Sequence, residues 1–249
     1  MSPTLVVVLA LAGFAAGVID AIAGGGGLIT LPALMAAGLP PHLAIATNKG
    51  QAVFGATTSF ASFWSRGAID KDRVLLAFAS GLIGSFCGAR VLLAVRPEPL
   101  KPVIVVLLVI AAALVVVRKP APSAKVVRHP RAALVAIALT LGAYDGFFGP
   151  GVGSMLIVAF ATVFGDSLTR ASGNAKVVNL ASNLAAVTLF ATHGNVMWTI
   201  ALPMAAANAA GAFVGARLAV ARGDRFVRVV LLVVVFVLVL KISMDLLQR

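Results

Sequence analysis

Residues 18–34 read VIDAIAGGGGLITLPAL, and residues 143–160 read AYDGFFGPGVGSMLIVAF. Each stretch places an aspartate, Asp20 or Asp145, inside an apolar run and just ahead of a glycine-rich interruption. A carboxylate at membrane depth is costly and marks a functional site by default. Its recurrence at the same place in both halves predicts a pair of broken helices around a shared site. Gly24, Gly25, Gly26 and Gly27 in series weaken a helix by about 1 kcal/mol each relative to Ala, and Gly149-Pro150-Gly151 interrupts its own helix. Irregular backbone survives at that depth only where protein or water surrounds it. The amides that open the following segments, from Leu28 and from Val152, carry partial positive charge and suit an anion.

Composition sets the class around these breaks. Of 249 residues, 61% are hydrophobic and 11% charged, far more apolar than a soluble domain of this length. The expectation is an all-α polytopic membrane protein in a bacterial inner membrane. Apolar stretches able to cross a bilayer, which takes roughly 20 residues each, lie at 4–23, 42–65, 74–95, 102–117, 132–149, 171–192, 199–220 and 226–244. Two shorter segments, 28–38 and 151–164, follow the breaks and read as half-helices that turn back. The N-terminal run lacks a basic region ahead of it, so it reads as the first membrane helix and not as a cleaved signal.

The net charge of +12 sits in short connections between spans, as orientation signals do. Nucleic-acid binding is therefore not expected. Residues 118–131, RKPAPSAKVVRHPR, hold five Lys/Arg and three Pro and read as an irregular cytoplasmic linker.

The chain repeats itself. Gly84-Ser85-Phe86-Cys87-Gly88-Ala89-Arg90 and Gly211-Ala212-Phe213-Val214-Gly215-Ala216-Arg217 share the pattern G-x-F-x-G-A-R at an offset of 127, which Lys49 and Lys176 keep, as do Gly67 and Gly194. Asn48 and Asn174 are 126 apart, Asp20 and Asp145 125 apart. The predicted organisation is a first transmembrane repeat at 1–118, a linker at 119–130 and a second repeat at 131–249. Arg66, Lys71 and Arg73 fall in the 66–73 connection, whereas its partner at 193–198 has no Lys or Arg. Equivalent loops facing opposite sides imply inverted repeats, each with a glycine-broken helix and three further crossings, and both termini outside.

Each repeat also supplies an amide and an ammonium early in the helix after the break: Asn48 and Lys49, then Asn174 and Lys176. Gln51 lies three positions beyond Asn48, while Asn179 and Asn183 extend the helical face of Lys176. Unpaired charges in apolar surroundings are expensive, so Asp20 and Asp145 are each expected to pair with a lysine. Such pairs serve either as structural salt bridges or as transport residues. In the second case Lys49 and Lys176 lend positive potential to an anion, and Asp20 and Asp145 carry protons. The predicted substrate-binding set is Gly24, Gly25, Gly26, Gly27, Asn48, Lys49, Gln51, Gly149, Gly151, Asn174, Lys176, Asn179 and Asn183. Arg90 and Arg217 sit near helix ends and read as interfacial anchors. Cys87 reads as a packing residue. His42, His129 and His193 show no metal-ligand spacing, and neither a metal nor a cofactor is expected.

Taken together, the segment 23–56 (AGGGGLITLPALMAAGLPPHLAIATNKGQAVFGA), its second copy from Asp145 to Asn183, and some eight spans in 249 residues resemble the sulfite exporter TauE/SafE family over nearly the whole chain. That resemblance implies a permease, not an enzyme, for small sulfur-containing or organic anions such as sulfite, organosulfonates or thiol compounds, with export the commonest assignment. Without a Walker A run for ATP, a proton gradient or the anion's own gradient is the expected drive, and alternating access between repeats the expected mode. A passive anion channel and, less favoured, a membrane-embedded enzyme are the alternatives. A homo-oligomer is compatible with all three.

Overall fold

The computed structural model describes residues 3–96, 106 and 129–247. The described residues form helices α1 (Pro3–Ala23), α2 (Gly27–Ala36), α3 (Pro41–Ser65), α4 (Lys71–Ala94), α5 (Pro130–Phe147), α6 (Val152–Val163), α7 (Leu168–Thr192) and α8 (Trp198–Leu247). Four meet the length and hydropathy needed to cross a membrane: Pro3–Ala23, Lys71–Ala94, Leu168–Thr192 and Trp198–Val230. The expected spans at 199–220 and 226–244 fall on the two helical stretches of α8, which meet at a kink at Gly223, where φ is +68°. The expected span at 102–117 and most of the linker at 119–130 lie outside the described residues, and α5 begins at the linker's final proline, Pro130.

Both breaks are real. Gly24 closes the last turn of α1 by donating to the Asp20 carbonyl and then takes a φ of +73°. Gly149 and Gly151, at φ +100° and +84°, stop α5 and reopen the chain as α6. In each half a longer helix, α1 of 21 residues or α5 of 18, is thus followed by a short apolar one, Gly27–Ala36 or Val152–Val163.

Packing is exchanged between the halves. The first helix of each half lies against the G-x-F-x-G-A-R helix of the other: α1 against α8, and α4 against α5. The G-x-F-x-G-A-R motif explains why. A Cβ on Gly84 or Gly88 would strike the Leu139 or Ala143 carbonyl of α5, and one on Gly211 or Gly215 the Phe14 or Val18 carbonyl of α1. Small residues four apart let helix backbones approach closely. The phenylalanines between them face outward: Phe86 and Phe213 are exposed, each under the guanidinium of Arg90 or Arg217, a cation–π arrangement that anchors the arginine. Cys87, expected in packing, is exposed on this outer face because it lies off the glycine stripe.

Helices α3 and α7 run through the interior and touch one another. Their polar residues Thr47, Asn48, Lys49, Gln51, Asn174, Lys176, Asn179 and Asn183 are all buried. Large apolar side chains such as Val7, Leu11, Leu75, Ile83 and Val91 point outward, the arrangement a lipid environment favours.

Candidate functional site

The two breaks meet. Ser154, at the start of α6, donates its backbone amide to the Gly24 carbonyl at 2.8 Å and its hydroxyl to the Ala23 carbonyl at 2.6 Å. Gly153 lies so close to Gly24 that a Cβ on either would overlap the other's backbone. Some amides expected to be free are therefore taken: Leu28 donates to Gly25, Val152 to Gly149, and Ser154 to Gly24.

Each buried lysine reaches across to the other half. Lys49 of α3 binds the Asp145 carboxylate of α5 at 2.5 Å, and Lys176 of α7 binds the Asp20 carboxylate of α1 at 2.7 Å. The pairs differ in access. Lys49 and Asp145 are both sealed, with side chains 2% and 4% exposed, and the second Asp145 oxygen accepts from the Ser182 hydroxyl. Lys176 is fully enclosed and also donates to the Asp20 backbone carbonyl, but the Asp20 side chain is 30% exposed. Its free oxygen accepts from the Gly26 amide at 3.3 Å. Asp20 thus sits as an anion at the N-terminus of α2, where the helix dipole favours negative charge.

Between these pairs lies a cavity of about 40 Å³, enough for about three waters at 10–15 Å³ each. Asp20, Gly24, Gly26 and Gly27 line it from the first break, Asn48, Lys49 and Gln51 from α3. Asp145, Gly149 and Gly151 line it from the second break, and Asn179 and Asn183 from α7. Gly25 and Lys176 are not on the wall; Lys176 acts on it only through Asp20.

Asn174 is also elsewhere, and the sequence offset between the halves says why. At the offset of 127 that joins Lys49 to Lys176, Asn174 corresponds to Thr47, not to Asn48. The structure gives both the same task. Thr47 Oγ1 accepts from the Met197 amide at 3.1 Å and Asn174 Oδ1 from the Asp70 amide at 2.8 Å, and positions 70 and 197 are themselves 127 apart. Each secures a loop of the other half, Thr47 the one before α8 and Asn174 the one before α4.

Three groups escaped the sequence reading. Asn208 of α8 lines the cavity, but it stands alone in an apolar helix, with Gly81 at the position 127 residues before it, and gives no pattern. Thr30 of α2 donates to Asn48 Oδ1, which also accepts from Gln51 Nε2 at 2.9 Å. Away from the cavity, Arg73 joins Asp70 and Asp166 at 3.1 Å each, and Asn174 adds a bond to Asp166. Arg73 also lies over the Phe164 ring. This latch ties the α3–α4 loop to the α6–α7 loop. The positions 127 residues from Asp166 and Arg73, Leu39 and Ile200, are apolar. With Arg73 27% exposed, solvent screening limits its value. Arg73→Ala is expected to destabilise by about 1 kcal/mol, read as a small drop in the melting midpoint of the detergent-purified protein; a loss as large as that from breaking the Lys49 pair would contradict this ranking.

His42 Nε2 lies 3.2 Å from the Leu92 carbonyl and 3.1 Å from that of Val95. Facing carbonyls only, that nitrogen must carry the proton, and the ring closes the end of α4. His193 Nδ1 meets the Leu189 carbonyl and His129 precedes α5.

The family model for the sulfite exporter TauE/SafE matches residues 9–242. A probable membrane transporter protein, ORF9, of Sinorhizobium is 37% identical over 97% of this chain and 93% of its own length. One from Haemophilus influenzae is 34% identical, covering 97% and 95%, and the probable membrane transporter protein YfcA of Escherichia coli is 36% identical, covering 98% and 92%. No solved structure matches the chain significantly. With the family match spanning nearly every residue and full-length relatives above 30% identity, this integral membrane protein belongs to the sulfite exporter TauE/SafE family of membrane transporters.

Proposed function

We propose that the protein is a secondary transporter of small, sulfur-containing anions that moves each anion together with a proton, export following the anion's own gradient, and that it binds its solute between the two breaks. The observation that carries this is the position of Asp20, a partly exposed carboxylate on the cavity wall that occupies both a helix N-terminus and a lysine. With both Asp–Lys pairs formed, the two pairs together are formally neutral. Protonating Asp20 weakens its bond to the Gly26 amide and leaves the Lys176 charge without its counter-ion, so the site becomes cationic as a proton enters. An anion can then take the place the carboxylate held. Exchange of one negative group for another at a helix N-terminus needs no rearrangement of the scaffold, and release of the anion lets Asp20 ionise again.

Reciprocal packing of α1 on α8 and α4 on α5 supports two repeats, 1–118 and 131–249, inverted in the membrane and rocking about the crossed ion pairs. A pore would need the same lining without a closing step, and the sealed Lys49–Asp145 pair favours a carrier.

Asp20→Asn tests the coupling. In proteoliposomes the variant is expected to catalyse anion exchange while losing at least tenfold in uptake driven by a pH gradient. Unimpaired pH-driven flux would remove Asp20 from proton carriage.

A further inference from the structure

The amide side chains of the cavity carry information about the solute that the charged groups do not. Gln51 and Asn179, 1% and 4% exposed, come from α3 and α7 and line the cavity. Among the described residues, Gln51 Oε1 and Asn179 Oδ1 are buried oxygens with no hydrogen-bond donor from the protein. The orientation of Gln51 follows from its neighbours: its Nε2 faces Asn48 Oδ1, which leaves the acceptor end over. Buried acceptors are rarely left unpaired, because desolvating one without a partner costs free energy. Water can supply donors to both, and a solute that displaces that water has to replace them or bind more weakly.

From this we infer that Gln51 and Asn179 select a monoanion that brings its own hydrogen-bond donor, an O–H or N–H, over an anion of equal charge that can only accept. This rests on the anion site proposed above and narrows it. The negative end of the solute takes the place of the Asp20 carboxylate beside Gly26, and its donor end turns to the two amide oxygens. Protonated oxyanions and sulfonates bearing an amino or hydroxyl group fit this class. Fully deprotonated oxyanions and simple alkylsulfonates do not, since each would confront the Gln51 and Asn179 oxygens with more acceptors or with an apolar group. A site built to hydrogen-bond its ligand rejects the analogue lacking that group more strongly than an apolar pocket rejects a missing methylene.

Sulfamate and methanesulfonate make the test direct, being monoanions of nearly equal size that differ in an amino group and a methyl group. Their dissociation constants are measured from ligand-dependent melting of the purified full-length protein. Sulfamate is expected to bind about tenfold tighter, and Gln51→Met or Asn179→Leu to bring the two anions within about twofold of each other. Equal binding by the unmodified protein, or a preference for methanesulfonate, overturns this inference and leaves the anion site standing. A tenfold preference that survives in both variants also overturns it, by assigning the selection to other groups. Binding of neither anion at millimolar concentration removes the anion site itself, and this inference with it.

Discussion

Replacing Lys49 by Met is expected to destabilise the protein by about 3–5 kcal/mol, a fall in melting midpoint on the order of 10 °C. The cause is the charge left behind. Asp145 is 4% exposed, and the Ser182 hydroxyl, its other hydrogen-bonding partner, cannot neutralise it. Adding Asp145→Asn to Lys49→Met removes the orphaned charge and is expected to recover more than half of the loss. Transport should stay absent in the double variant, because the wall then lacks the Lys49 ammonium. Recovery of transport together with stability would make the pair purely structural. Lys176→Met supplies the contrast. Its partner Asp20 is 30% exposed and holds the Gly26 amide, so the abandoned carboxylate keeps a donor and access to water, and the stability cost should be smaller. The ordering, Lys49 above Lys176, is the part of the expectation that burial dictates.

How far this arrangement could be read beforehand varies with the distance over which each feature acts. Helix positions follow from local hydropathy: expected starts at 4, 42 and 199 meet Pro3, Pro41 and Trp198. Expected half-helices at 28–38 and 151–164 meet Gly27–Ala36 and Val152–Val163 because glycine and proline act on their own neighbours. The partners of the aspartates were beyond such logic. Lys49 and Asp145 are 96 residues apart and Lys176 and Asp20 are 156 apart, so only the fold decides that each lysine crosses to the other half. Asn174 shows how sensitive a helical face is to register. One residue turns a helix by about 100°, enough to carry Asn174 from the cavity to the Asp70 loop. Arg73 and Asp166 were hidden for another reason: charges in connections serve as orientation signals, and nothing local distinguishes such an arginine from one that also bridges two loops.

Substituting Gly24 should be among the most damaging changes outside the charged pairs, and the kind of damage separates two roles of glycine. A Cβ at position 24 would overlap the Gly153 carbonyl carbon and the Ser154 nitrogen. Both are backbone, and neither can swing aside. The residue also adopts φ +73°, which costs a non-glycine residue about 1–2 kcal/mol before any contact is considered. Gly67 isolates that second contribution: its φ is +67°, but no atom lies within 4 Å of the place a Cβ would take. Gly67→Ala should therefore cost only about 1–2 kcal/mol and leave transport intact. Gly24→Ala must in addition separate the two breaks, breaking the Ser154 bonds to Gly24 and Ala23 and enlarging the cavity on the side facing Asp20. Its expected result is loss of transport and a drop in stability at least twice that of Gly67→Ala, compared by melting and by uptake in proteoliposomes. Equal effects from the two substitutions would mean that the breaks need the left-handed turn but not their contact. The site would then be two neighbouring half-sites, each able to function without the other's backbone.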